Sequence, residues 1–175
     1  MLFNAESAAS SITKINATMH VVFENSPEDP LSALPVQYLL NELQNVLVQA
    51  AALSRYFWPV RASHVWRGEH LRRAFQLPED SPLRSRGLRN AIEHFDEQLD
   101  RYLEDGVVGH ILPQYVGPFS ESDGVPVHLF RAYYIDKGVF ELLGKRYDVN
   151  PIAGAVMAIY EQLKEMDQAG GIFSS

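Results

Sequence analysis

Apolar residues first fall into a clear helical rhythm between Pro35 and Phe57. Val36, Leu39, Leu40, Leu43, Val46, Leu47, Ala50, Ala51 and Leu53 return every three or four places, and Pro59 closes the run. A stripe that wide predicts a central helix of a bundle. A shorter helix is predicted over Ser63–Phe75, closed by Pro78. Ser81-Pro82 sets an N-cap residue before a proline at the first helical position. Leu88, Ile92, Phe95, Leu99 and Tyr102 then step by four, three, four and three, so a third helix is expected, ending near Asp105-Gly106. Asn150-Pro151 repeats that start, and Ile152, Val156, Ile159, Leu163 and Met166 repeat the stripe, predicting a final helix over 150–167.

Other stretches follow a different pattern. Val127–Ile135 and Val139–Tyr147 are β-rich, and Asp136-Lys137-Gly138 between them reads as the turn of a hairpin over 127–147. Val107–Pro126, rich in glycine and proline, reads as loop. Residues 1–34 read as an N-terminal arm, with strand character over Thr13–Glu24 and a turn at Asn25–Pro30. The expected fold is mainly α, a helical bundle of about four helices with one inserted β-hairpin, forming a single domain over 1–175. A lone hairpin is marginal in water, so it must pack on the bundle or on a second subunit.

Charge alters this picture more than overall composition does. The net charge of −7 gives no general case for a nucleic-acid or membrane-surface protein. The span from Arg55 to Arg89 nevertheless holds eight arginines, no lysine and only Glu69, Glu79 and Asp80 as acids. Arginine without lysine favours bidentate contact with carboxylate or phosphate. These side chains either pair with the acidic remainder of the chain or grip an anion. The absence of cysteine excludes disulfides, thiolate metal sites and a cysteine nucleophile. No leader pattern and no apolar window of membrane length is evident, so a soluble cytoplasmic protein is expected.

Candidate chemistry concentrates in Leu88-Arg89-Asn90-Ala91-Ile92-Glu93-His94-Phe95. A guanidinium grips phosphate oxygens, an imidazole titrates near neutral pH, and an amide can orient either. Asn90 and His94, four apart, share a helical face, and Glu97 lies at the next three-residue step. The same residues also have a purely structural reading. Arg89 then pairs with Glu93, His94 is satisfied by a carboxylate, and Asn90 caps or bridges to a loop.

The run Arg89-Asn90-x-x-x-His94 resembles the signature of the HEPN superfamily, small helical bundles with such a motif on a late helix. The wider stretch from Tyr56-Phe57-Trp58-Pro59 through Arg67-Gly68-Glu69 to Phe95-Asp96-Glu97 is similar to uncharacterised bacterial HEPN-like proteins, and the resemblance covers residues 36–104. It implies a metal-independent endoribonuclease of a bacterial defence or toxin–antitoxin system. Such a protein works as a homodimer on RNA, with an antitoxin or nucleotidyltransferase as partner. Arg89 would hold the scissile phosphate, Asn90 would orient it, and His94 would serve as general base or acid. Arg72, Arg73, Arg84 and Arg86 would bind RNA. Where some toxin-type members carry a tyrosine two residues after the histidine, this chain has Asp96. The alternative is a non-catalytic helical interaction or nucleotide-binding module.

No cofactor or metal is expected. Glu69-His70 and Glu93-His94 are adjacent pairs, whereas a di-iron bundle needs Glu and His three apart. There is no nucleophile elbow or phosphate-cradling glycine loop. Trp58 and Trp66 are expected as packing anchors between helices, and Phe130, Tyr133 and Tyr134 as core or interface aromatics.

Overall fold

The computed structural model describes residues 1–85, 87, 90, 94–104, 106, 108–120 and 126–170. Among them are five α-helices: α1 (Leu2–Asn25), α2 (Val36–Phe57), α3 (Val65–Ala74), α4 (Phe95–Glu104) and α5 (Asn150–Gln168). Short 3₁₀ turns occupy Ala62–His64 and Pro82–Arg84. Four strands, β1 (His110–Gly117), β2 (Val127–Tyr134), β3 (Val139–Leu142) and β4 (Lys145–Asp148), form one sheet in the order β1-β2-β3-β4. β1 pairs parallel with β2, and the other pairs are antiparallel. This mixed sheet makes the chain an α/β fold, which corrects the expected helical bundle with one hairpin.

The first correction is at the N-terminus. Residues 2–25 form a helix rather than an arm with a strand. Ala5, Ala8 and Ile15 are buried, and Ile12, Met19 and Val22 pack on the core beside them, a three-and-four rhythm. Small side chains let α1 approach α2 closely, and a polar seam fixes the pair. Asn45 donates to the hydroxyls of Ser7 (3.1 Å) and Ser11 (2.9 Å), the Asn4 amide donates to Gln49 (2.7 Å), and Ser11 donates to Glu42. α1 also packs along α5, whose Ile152, Val156 and Ile159 are buried. α2 lies at the centre, with Leu39, Leu40, Leu43, Val46, Leu47, Leu53 and Phe57 all buried.

The second correction is the sheet. The stretch read as loop contains β1, an edge strand that carries Pro113. The register runs from His110↔Val127 to Leu112↔Leu129 and resumes at Gln114↔Arg131, skipping the proline, whose nitrogen has no hydrogen to donate. The second arm of the hairpin, expected in one piece over Val139–Tyr147, is two strands, because Leu143 (φ 48°) and Gly144 (φ 77°) make a tight turn between Leu142 and Lys145. Two consecutive positive φ values are the type I′ signature that suits the twist of a two-residue hairpin. One sheet face meets α2, where Arg131 donates to Gln44 (3.1 Å) and stacks on Phe95 of α4. On the other face Phe119 lies edge-on to Tyr134 (5.0 Å) and under the Arg146 guanidinium (4.7 Å). There Tyr134 and Arg146 both donate to the buried Glu141 carboxylate (3.1 and 2.8 Å).

The third correction concerns the helix expected from Ser81. Pro82–Arg84 makes only a 3₁₀ turn, Ser85 is extended (φ −60°, ψ 120°), and the Ser81 side chain makes no capping bond. That break lets Leu83 drop into the core at 3 % exposure. Asn90 is helical, His94 lies in a turn, and α4 starts at Phe95. Phe95, Leu99 and Tyr102 of the expected stripe do pack on the core, while Leu88 and Ile92 lie outside the described residues.

Candidate functional site

The motif expected to carry chemistry is described only in part: Arg89 and Arg86 lie outside the described residues. Asn90 and His94 are both exposed, and the His94 N–H donates to the Asn90 carbonyl (3.0 Å). The His94 carbonyl in turn accepts from Gln98 (3.1 Å), so His94 leads directly into α4. Nδ1 of its imidazole stands 3.6 Å from Oε1 of Glu97, whose other oxygen is 4.0 Å from Arg101. The His94 ring thus lies near, but outside hydrogen-bond distance of, the carboxylate three residues on, and is more than half exposed.

Two of the four arginines expected to bind RNA, Arg72 and Arg84, meet elsewhere, beside the end of α2, and Arg73 lines a neighbouring cleft. Arg72 reaches back from α3 and donates Nη1 to the carbonyl of Phe57, the last residue of α2 (2.6 Å). A cation there satisfies an orphan carbonyl and suits the negative end of the helix dipole. Its guanidinium also lies 5.6 Å from the Trp58 ring centroid. Gly68 makes the crossing of α3 over α2 this close. A Cβ at that position would lie 2.5 Å from the Phe57 oxygen and 2.6 Å from Cδ of Pro59.

The remaining donors of Arg72 face Glu79. Oε1 of Glu79 is 3.2 Å from Nε and 3.1 Å from Nη2 of Arg72, and Oε2 is 3.4 Å from Nη1 of Arg84. Arg84 also donates to the Glu79 main-chain carbonyl (3.0 Å). This cluster borders a cleft of about 430 Å³, walled by Ser54, Trp58, Pro59, Val65, Arg72, Glu79 and Arg84. A second cleft, of about 320 Å³, lies against Glu69, Arg72, Arg73, Gln76, Leu77 and Glu79. Arg72 and Glu79 are common to both.

Among the described residues, three buried side-chain polar atoms have no hydrogen-bond partner: Nε1 of Trp58, Nε of Arg67 and Oγ of Ser81. All three belong to the segment 58–84 that wraps the first cleft. Each such atom costs about 1–3 kcal/mol, so their concentration here is notable. Trp58 packs on the core beside Phe57 (5.9 Å between rings), as expected of an anchor, whereas Trp66 is 66 % exposed. Sequence reasoning found the arginines but missed Gly68 and Glu79. The available signal was the arginine-rich span with three acids inside it, Glu69, Glu79 and Asp80.

Compared with protein-family models, curated proteins and solved structures, the chain matches none. The HEPN resemblance therefore rests on the motif residues alone. No helix among the described residues is long and apolar enough to cross a membrane.

Proposed function

We propose that this chain is a non-catalytic nucleotide-binding interaction module of the cytoplasm, with its ligand held between Trp58, Arg72 and Arg84. The supporting observation is the convergence of an indole and two guanidiniums on one cleft of about 430 Å³. Small-molecule sites commonly span roughly 300–1,000 Å³ and combine apolar walls with a few polar groups. Trp58, Pro59 and Val65 suit a ring, and the arginine forks suit an oxyanion. Calorimetric titration with adenosine 5′-monophosphate tests this. Binding is expected to the native chain and is lost in Arg84→Ala, whose side chain is 58 % exposed and removable without unfolding. Equal binding by both proteins, or binding by neither, sinks the reading.

A metal-independent endoribonuclease, acting as a homodimer in a bacterial defence or toxin–antitoxin system, is the second reading. The observation favouring it is the His94 ring, more than half exposed and 3.6 Å from Glu97, which leaves the imidazole accessible to an RNA hydroxyl. Arg89 and Asn90 would hold the phosphate, and RNA would be cut in EDTA by the native chain but not by His94→Ala.

A further inference from the structure

Glu79 is the acid in a cluster of arginines, and its position is unusual for an exposed side chain. It is 69 % exposed, yet its carboxylate is shared between the nearly buried Arg72 (13 % exposed) and Arg84. A single negative charge there faces two cations, leaving a surplus positive charge at the mouth of the cleft. The Arg72–Glu79 pair is also the wall common to the two clefts. On the far side, Glu69 and Arg73 both line the second cleft, and the guanidiniums that line the first are those of Arg72 and Arg84.

We infer that Glu79 is a resident stand-in for the phosphate of a phosphate monoester. The ligand's dianionic phosphate takes the carboxylate's place between Arg72 and Arg84, and Glu79 turns out to solvent. Two negative charges then meet two positive ones, whereas a ligand carboxylate would only replace one monoanion with another. Charge-assisted bonds from two guanidinium forks favour the more highly charged oxyanion. The exchange needs only side-chain rotation, because Glu79 sits on a turn closed by the Ser81 N–H to the Pro78 carbonyl (3.1 Å). The inference rests on the reading of the cleft as a nucleotide site.

Calorimetric titrations of the native chain and of Glu79→Gln with adenosine 5′-monophosphate, inorganic phosphate, adenosine and benzoate test it. Glutamine keeps the size and removes the competing charge. Adenosine 5′-monophosphate and inorganic phosphate are expected to bind Glu79→Gln about tenfold more tightly than the native chain, a shift of about 1.4 kcal/mol. Adenosine, which has no phosphate, should not distinguish the two proteins. Equal affinity of the monophosphate for both proteins overturns the displacement while leaving the cleft as a binding site. Weaker binding to Glu79→Gln overturns it too, by making Glu79 a ligand contact. Benzoate binding as tightly as the monophosphate removes phosphate as the ligand class. Binding of none of these by either protein removes both the displacement and the site.

Discussion

A methyl group at Gly68 would meet two groups that cannot move aside, the main-chain carbonyl of Phe57 and the ring of Pro59. Gly68→Ala is therefore expected to push α3 off the end of α2 and break the Arg72 bond to Phe57. Overpacking of this kind costs about 1–3 kcal/mol, which urea denaturation would read directly. Unchanged stability would mean that the two helices tolerate a wider crossing. At this scale the candidate site was half legible in the sequence. Arg72, Arg73 and Arg84 announced themselves as a lysine-free arginine group, the pattern that bidentate partners require. Glu79 did not, because it pairs seven residues back and five forward through a turn, outside the three-and-four spacing of a helix. Gly68 could not be read either, since its role depends on a neighbour brought near by folding.

At the level of elements, α3 ends in a way that can be improved. Gln76 has φ 51°, with its N–H to the Arg73 carbonyl (3.1 Å) and the Leu77 N–H to the Arg72 carbonyl (2.8 Å). This is a Schellman ending with a side chain where glycine is favoured. The left-handed conformation costs a residue with a Cβ roughly 1 kcal/mol, so Gln76→Gly is expected to stabilise the chain by about 0.5–1 kcal/mol. A raised denaturation midpoint with unchanged slope would show it, and a lowered midpoint would refute it. α2 and α5 were legible because long aliphatic side chains mark their buried faces. α1 was not, because its stripe is built from Ala5, Ala8 and Ala9, which carry little hydrophobic signal, with β-branched residues around them. β1 was hidden by Pro113, which an edge strand tolerates. Leu143 concealed the β3–β4 turn, where asparagine would have revealed it.

Across the whole molecule, the sheet and α4 hold phenols that resist ionisation. Burial, reinforced by the charge of Glu141 and the hydrogen bond to it, pushes Tyr134 up to about 12. Burial also raises Tyr102, Tyr115, Tyr133 and Tyr147, with Glu141 adding to the first and Asp136 to the second. Above the ordinary phenol value of 10.0 the unfolded chain loses these protons while the folded chain keeps them. The unfolded state then binds fewer protons, so stability falls as pH rises. Thermal melts are expected to show a decline that starts near pH 10.0 and continues to about 12. Tyr134→Phe should make that decline shallower, and an unaltered slope would contradict the assignment. The expectation of a mainly helical molecule failed at this scale because β1 joins β2 in parallel, from His110↔Val127, a pairing that leaves no hairpin turn to read.

The contact of α1 with α5 carries a consequence for how the chain is made. On a ribosome the first helix emerges early and can rest on α2, but its other companion is synthesised only after the sheet. Until α5 is made, one flank of the nascent α1–α2 hairpin stays uncovered. Completion of the interior waits for the last helix to arrive.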